Sequence, residues 1–400
     1  MKPTVCLIPP PQLPIPAVQG GAVEGLITHL IEENEQQQKM ELVVFTIPDA
    51  KARALAKQYR HTRFHFIKHK KKRGVWALMC GALRRMGYPA PLDFWFEKVR
   101  HILRKENPAY VVAEGGNFRE FGAIARQTGR SRMVAHLHSS LHYHPCLSPL
   151  YSKVLGISQF VADCWQDDTA HKAMVPNCVD QNLFHPASDP ASRQMLRQQL
   201  GLSRDDIAVL FCGRIHPAKG IHRLVEAMAQ LDDPRYKLIV VGSPFFAAQS
   251  DNDFFRQLRQ QADALGDRII FTGFVKNQEL PRYYQAADLA CLPSLCLEGA
   301  GITGIEAMAC GCPVIGVDTG GMPEYLQGSS ALLLPRQEGE NGEILLPQLP
   351  SMATLIAQAI RQLGENPALR QQMAEKGIAQ AQSFSRQQFY QAFYKAVCEL

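Results

Sequence analysis

A chain of 400 residues is too long for one ordinary domain and points to two. Its 46% hydrophobic content suits buried cores, no run approaches the eighteen or more apolar residues of a membrane span, and eleven cysteines without a C-x-x-C pair or an export signal fit a reducing cytoplasm rather than a disulfide framework. The net charge of +6 is unevenly held: residues 1–180 carry 24 Lys and Arg against 15 Asp and Glu, a balance of +9, and the remainder is −3, with no recognised nucleic-acid motif to give that charge a nucleic-acid partner.

Apolar strand-like runs alternate with amphipathic helix-like runs along the chain, which predicts parallel sheets covered by helices on both faces. The N-terminal MKPTVCLIPPP carries one Lys and a short apolar stretch before three prolines, and reads as a first strand, not a signal peptide. After it, AVQGGAVEGLITHL places Gly20 and Gly21 just before a helix, where adjacent glycines let the backbone approach a ligand closely. ELVVFTI is the next strand candidate. The basic run Lys68, Lys70, Lys71, Lys72 and Arg73 follows, beside Val75, Trp76, Leu78 and Met79. It admits two readings, a dock for an anionic membrane surface and a solvated loop.

AYVVAE, RMVAHLH and KVLGIS complete the strands of the first half. Glu114 and Asn117 sit where AYVVAE ends. RMVAHLHSSLHYHP holds His136, His138, His142 and His144, and His136 and His138 alternate along a strand and share a face. Imidazoles in pairs suit zinc, but no carboxylate or Cys stands at a tight ligand spacing around them, and structural histidines are the other reading from the residues. Asn, Asp, Pro and Ser cluster in residues 175–188, which marks a domain boundary.

The second half begins with IAVLFCG, a strand that delivers Arg214 to its C-terminal end, and Lys219 follows on the far side of a proline turn. Ligands of open α/β sheets bind outside the carboxyl ends of strands, and two fixed cations there suit a diphosphate. KLIVVG ends on Gly242, and RIIFTG is followed by Val275 and Lys276. DLACLP, PVIGV and ALLLP are the last strand candidates. A terminal amphipathic helix is expected over FSRQQFYQAFYKAVCEL, with Phe389, Phe393, Val397, Tyr390 and Tyr394 at helical spacing.

The most informative segment is PSLCLEGAGITGIEAMACGCPVIG, residues 293–316. Glu298 and Glu306 stand in it with seven residues between them. The order is strand, glycine turn, helix, strand. A glycine turn opening a helix directs backbone N–H groups, at Ala300, Gly301, Ile302 and Thr303, toward an anion at the positive end of the helix dipole. Two carboxylates would repel phosphate, so they are aimed at another part of the same ligand. A carboxylate accepts two hydrogen bonds from a vicinal diol, which makes the segment a nucleotide-sugar site.

This pattern, PS…EG.G…EAMA.G.PV, together with G.I.P.KG around Arg214 and Lys219, resembles the signature of the retaining glycosyltransferases of family 4. The resemblance implies the GT-B fold: α/β, two Rossmann-like domains with parallel sheets, an interdomain cleft, and a last helix that crosses back to the N-terminal domain. It divides the chain into an acceptor-binding domain 1–180, a nucleotide-sugar domain 181–380 and a terminal helix 381–400. It places Glu298 on the donor sugar, Glu306 on the ribose, Arg214 and Lys219 on the diphosphate, Gly20 and Gly21 over the donor phosphate and acceptor, and the base near Val275 and Lys276 with Gly242 leaving room beside the nucleotide. It gives His138 a third reading, a contact to the donor sugar, and makes Glu298 and His138 the catalytic pair. Glu114 and Asn117 become acceptor candidates. The family usually carries Gly where this chain has Cys178, which questions the local backbone.

The function so implied is retaining transfer from a nucleotide-diphosphate sugar, read as UDP-linked, to a cell-envelope glycan or lipid-linked saccharide such as lipopolysaccharide core. No cofactor and no metal are expected. Localisation is expected to be cytoplasmic, with peripheral attachment to the inner membrane face under the membrane-docking reading. Two rivals stand beside it: a UDP-sugar epimerase of GT-B fold, which needs no acceptor, and a non-catalytic sugar-nucleotide-binding protein.

Overall fold

Every apolar run marked as a strand is one, and all pair in parallel. A computed structural model describes residues 2–69, 79, 94–244, 253–326 and 328–399. Most of the basic run, from Lys70 to Leu78, lies outside them. Two compact units result, Met1–Asn177 with Arg386–Leu400, and Cys178–Ser385.

The first unit holds β1 (Thr4–Ile8), β2 (Glu41–Thr46), β3 (Thr62–Phe66), β4 (Tyr110–Glu114), β5 (Met133–Leu137), β6 (Lys153–Gly156) and β7 (His171–Met174), in the spatial order β3-β2-β1-β4-β5-β6-β7. The central strands are apolar on both faces, as helix-covered parallel strands must be: Val5, Cys6, Leu7, Ile8, Val43 and Val112 are fully buried. The terminal helix Arg386–Tyr394 belongs to this unit. Phe393 and Val397 are fully buried, Tyr390 donates to Asn34 Oδ1 at 2.8 Å, Arg386 pairs with Glu32 at 2.8 Å, and Lys153 donates to the Val397 carbonyl at 2.7 Å.

The second unit holds β8 (Ile207–Cys212), β9 (Tyr236–Val241), β10 (Ile269–Gly273), β11 (Leu289–Leu292), β12 (Val314–Val317) and β13 (Ala331–Leu334), ordered β10-β9-β8-β11-β12-β13. Domain limits at 180 and 380 differ from the observed division at 177 and 385. The Val179 N–H donates to the Phe384 carbonyl at 2.9 Å and Val179 bridges Ser385, so both chain crossings are tied together within this unit. Cys178 is buried. It does not take the left-handed backbone that a glycine would explain, since Gln38 and Asn107 are the non-glycine residues with positive φ among those described.

Both sheets are doubly wound. The chain direction of assembly reverses between β1 and β4 in the first and between β8 and β11 in the second. The connections that leave such a pair run to opposite faces of the sheet, and open α/β sheets bind ligands outside the carboxyl ends of those strands.

Candidate functional site

In the second unit the two switch-point loops meet. The β8 loop carries Arg214 and Lys219, the β11 loop carries Glu298, and Lys219 Nζ lies 2.5 Å from Glu298 Oε1. Ser294 also donates to that oxygen, and Cys296 Sγ stands 3.9 Å from it. The loops are joined through backbone: the Leu295 and Cys296 N–H groups donate to the Ala218 carbonyl at 2.9 and 3.2 Å, and Gly220, at φ +67°, leaves the Pro293 carbonyl where a Cβ would stand 1.8 Å from it. A third loop, after β12, closes on the same residue. Gly321 donates to the Glu298 carbonyl at 2.7 Å, and a Cβ on Gly320 (φ +58°) would lie 2.1 Å from it.

Arg214 is exposed and makes no ion pair among the described residues. Burial, together with the charges of Arg214 and Lys219, holds His216 below the usual imidazole range, as expected in a positive local field. The candidate diphosphate site therefore has one uncommitted cation and one, Lys219, engaged by the carboxylate expected on the sugar.

Glu306 lies on the helix Ile302–Ala309, which Gly301 opens, and it is buried. The N–H groups of Ile302 and Thr303, the first of this helix, have no acceptor in an earlier helical turn, whereas those of Gly304 and Ile305 donate to the Gly301 carbonyl at 2.8 and 3.1 Å. Tyr284 donates to Glu306 Oε2 at 2.9 Å, and burial raises the carboxyl from 4.5 to about 7 against that bond. Val275 and the exposed Lys276 follow β10, and Gly242 follows β9. Along one carboxyl edge of the sheet, the order is thus Lys276, Gly242, Arg214, Glu298. Gly242 does not leave an open space. A Cβ there would lie 1.9 Å from the Gly213 carbonyl, so the glycine, at φ +145°, is needed for contact between two strand ends.

The first unit gathers its candidates in the same way. Gly20 and Gly21, at φ +84° and +99°, lie between β1 and the helix Ala22–Gln37; a Cβ on Gly21 would meet the Glu24 carboxylate at 2.1 Å. Asn117 caps the short helix Phe118–Phe121 through the Arg119 N–H. Glu114 does not face outward as an acceptor contact would. It is 1% exposed, and its Oε2 lies 2.8 Å from both His136 Nδ1 and His138 Nε2. His142 and His144 are exposed and stand outside this cluster.

Glu114 thus supplies the carboxylate that local spacing lacked, because β4 and β5 pair with Glu114 opposite His136. The three ligating atoms lie within 4.8 Å of one another, close enough to surround a cation. Metal-bound histidines ordinarily give their second nitrogen a carboxylate or carbonyl partner. Here His136 Nε2 and His138 Nδ1 are buried without one among the described residues, so the set fits a hydrogen-bonded cluster better than a metal site.

Tyr284, Gly320 and Gly321 were not among the residues marked by the sequence. The Gly320–Gly321 doublet after a strand is the same signal that marked Gly20 and Gly21 and was available. Tyr284 carries no local signal, since its bond to Glu306 spans 22 residues.

Comparison with known proteins fits this geometry. Residues 192–380 match the family model of glycosyl transferases group 1. The lipopolysaccharide 1,2-N-acetylglucosaminetransferase of Salmonella typhimurium is 28% identical over 245 residues, 60% of this chain and 62% of that relative. Spore coat protein SA of Bacillus subtilis is 25% identical over 356 residues, 85% of each chain. The crystal structure of Anabaena HepE in complex with UDP superposes with a TM-score of 0.75 at 23% identity over the whole of both chains, and the structure of HepE with UDP-glucose also gives 0.75. This chain accordingly has the GT-B fold, and its residues 192–380 are similar to the family model of glycosyl transferases group 1.

Proposed function

We propose that the protein is a retaining glycosyltransferase that takes a UDP-sugar as donor. The observation that carries this reading is the convergence of Arg214, Lys219, Glu298 and the N-terminus of the helix Ile302–Ala309 at the switch point of one sheet. Arg214, Lys219 and the N–H groups at Ala300, Gly301, Ile302 and Thr303 bind the diphosphate. Glu306 binds the ribose and Glu298 the sugar, while Val275 and Lys276 flank the base. The binding of UDP and UDP-glucose by HepE supports the choice of nucleotide.

In the first unit, Gly20 and Gly21 approach the donor phosphate, His138 contacts the sugar and Asn117 the acceptor. The bond from the anomeric carbon to the diphosphate oxygen breaks as the acceptor oxygen bonds on the same face. The acceptor proton passes to a phosphate oxygen of the leaving UDP. Positioning and charge stabilisation are the protein's part in this scheme. With two cations and a helix terminus on the phosphates, the reaction needs no metal. The acceptor is a cell-envelope glycan or lipid-linked saccharide, a reading supported by the lipopolysaccharide enzyme among the relatives. The +9 balance of residues 1–180 suits docking on an anionic inner membrane face from the cytoplasm, which salt-sensitive binding to anionic vesicles would report. No helix among the described residues is long and apolar enough to cross a membrane.

Release of UDP from a panel of UDP-, GDP- and ADP-sugars, with and without EDTA and with candidate saccharide acceptors, tests the proposal. Acceptor-stimulated turnover of one UDP-sugar that survives EDTA is expected. Loss of turnover with EDTA and its return with Mg²⁺ would overturn the metal-free scheme. Binding of UDP with no turnover of any donor would favour the non-catalytic reading, and acceptor-independent release of UDP from UDP-GlcNAc would favour the epimerase.

A further inference from the structure

Resting on the sugar contact assigned to His138, we propose that Glu114 and His136 are positioning residues that hold His138 in one neutral tautomer, with Nδ1 presented as a bare acceptor for a hydroxyl of the donor sugar. An ionised carboxylate only accepts hydrogen bonds. Glu114 Oε2 lies 2.8 Å from both His136 Nδ1 and His138 Nε2, so each ring must bring its proton to that oxygen. The proton of His136 then resides on Nδ1 and that of His138 on Nε2.

The surroundings support this assignment. All three side chains are deeply buried, at 1%, 1% and 9% exposure for Glu114, His136 and His138. The ring centroids are 4.2 Å apart, too close for two imidazolium charges away from water. Burial and the neighbouring His136 hold His138 below the usual imidazole range, and despite its own burial Glu114 is held below the carboxylate range by the two rings. With one proton on each ring, directed at Glu114, the outer nitrogens are lone-pair acceptors. That of His136 is on a ring 6.0 Å from Phe393, inside the apolar packing of the terminal helix. That of His138 is buried with no partner among the described residues, an acceptor that lacks a donor until a hydroxyl reaches it.

The arrangement makes His138 an orienting group and not a proton donor, in keeping with a phosphate oxygen as the base. It also sets one negative charge behind the ring. Positive charge develops on the sugar as the glycosidic bond breaks, and a fixed carboxylate is worth more to that state than to the ground state. Removing the charge should therefore lower kcat and leave KM for the donor almost unchanged.

The test uses the full chain labelled with ¹⁵N-histidine. Two-bond ¹H–¹⁵N correlation spectra distinguish the tautomers, and His136→Gln and His138→Gln assign the signals. Wild type should show His138 protonated on Nε2 alone and His136 on Nδ1 alone. Glu114→Gln should mix the tautomers of at least one ring and cut kcat by about tenfold or more with KM within about twofold. His138 protonated on Nδ1, or present as imidazolium in wild type, would overturn the proposal, as would unchanged tautomers in Glu114→Gln. Should Glu114→Gln not fold, the wild-type spectrum decides alone. Full turnover in His138→Ala with the expected wild-type tautomers would overturn the sugar contact on which the proposal rests, whereas the wrong tautomers with an inactive His138→Ala would overturn the tautomer lock and leave that contact standing.

Discussion

Glu298→Ala should tighten the binding of UDP while it slows sugar transfer. Without ligand, Glu298 accepts from Lys219 at 2.5 Å, and phosphate must compete for that ammonium. A hydrogen bond to a charged group contributes about 1.5–3 kcal/mol to stability. The pair is partly exposed, at 30% for Lys219 and 14% for Glu298, so solvent screening reduces the figure to about 1 kcal/mol, or roughly a fivefold gain in UDP affinity. Glu298→Gln should gain less, because its carbonyl still accepts from Lys219. Turnover should fall in both, since the contact proposed for Glu298 is to the sugar, where charge develops. Calorimetry with UDP, beside single-turnover rates, measures the two effects. Lys219→Ala completes the cycle: in its background, loss of Glu298 should no longer improve UDP binding. Unchanged or weaker UDP affinity in Glu298→Ala, with Lys219→Ala still weakening UDP, would refute the competition and show that Lys219 serves carboxylate and phosphate together.

Glu306 titrates at about 7 because it is buried, and the ribose diol should bind its ionised form. UDP affinity should then rise with pH through about 7 in wild type. In Glu306→Gln this dependence should vanish while the titration of UDP itself remains, and equal pH profiles would exclude the ribose role. Stability has the opposite sign: with the carboxyl raised from 4.5 to about 7, its contribution is fully present below 4.5 and is lost as pH rises through 7. Glu306→Gln should gain on wild type by up to about 3 kcal/mol at pH 8 and little at pH 4, measured by denaturant melts. Gly320→Ala places a Cβ 2.1 Å from the Glu298 carbonyl at φ +58°. A loss of about 2 kcal/mol or more and a fall in turnover are expected, and a melt unchanged from wild type would show that this loop does not hold Glu298.

The alternation of strands and helices was legible because central parallel strands are apolar throughout, as IAVLFC and KLIVV show with hardly an exposed residue. β3 and β7 were not legible. They are edge strands, TRFHF and HKAM, with solvent on one side, and their charged and polar residues hide the strand pattern. The site in the second unit was legible to the extent that it is local: Glu298, the glycine turn and Glu306 follow one another along the chain.

What lay beyond the sequence was every pairing across strands. The sequence by itself determined the class of fold and the placing of charged residues at the carboxyl ends of strands. Only the tertiary structure decided that Lys219 is engaged by Glu298 79 residues away, that Tyr284 backs Glu306, and that Glu114 lies under two histidines instead of facing a ligand. The reason is geometric. Periodicity tells which face a residue takes on its own strand, but the strand beside it is set by packing among elements distant in the chain, and hydrogen bonds of 2.8 Å exist only once that register is fixed.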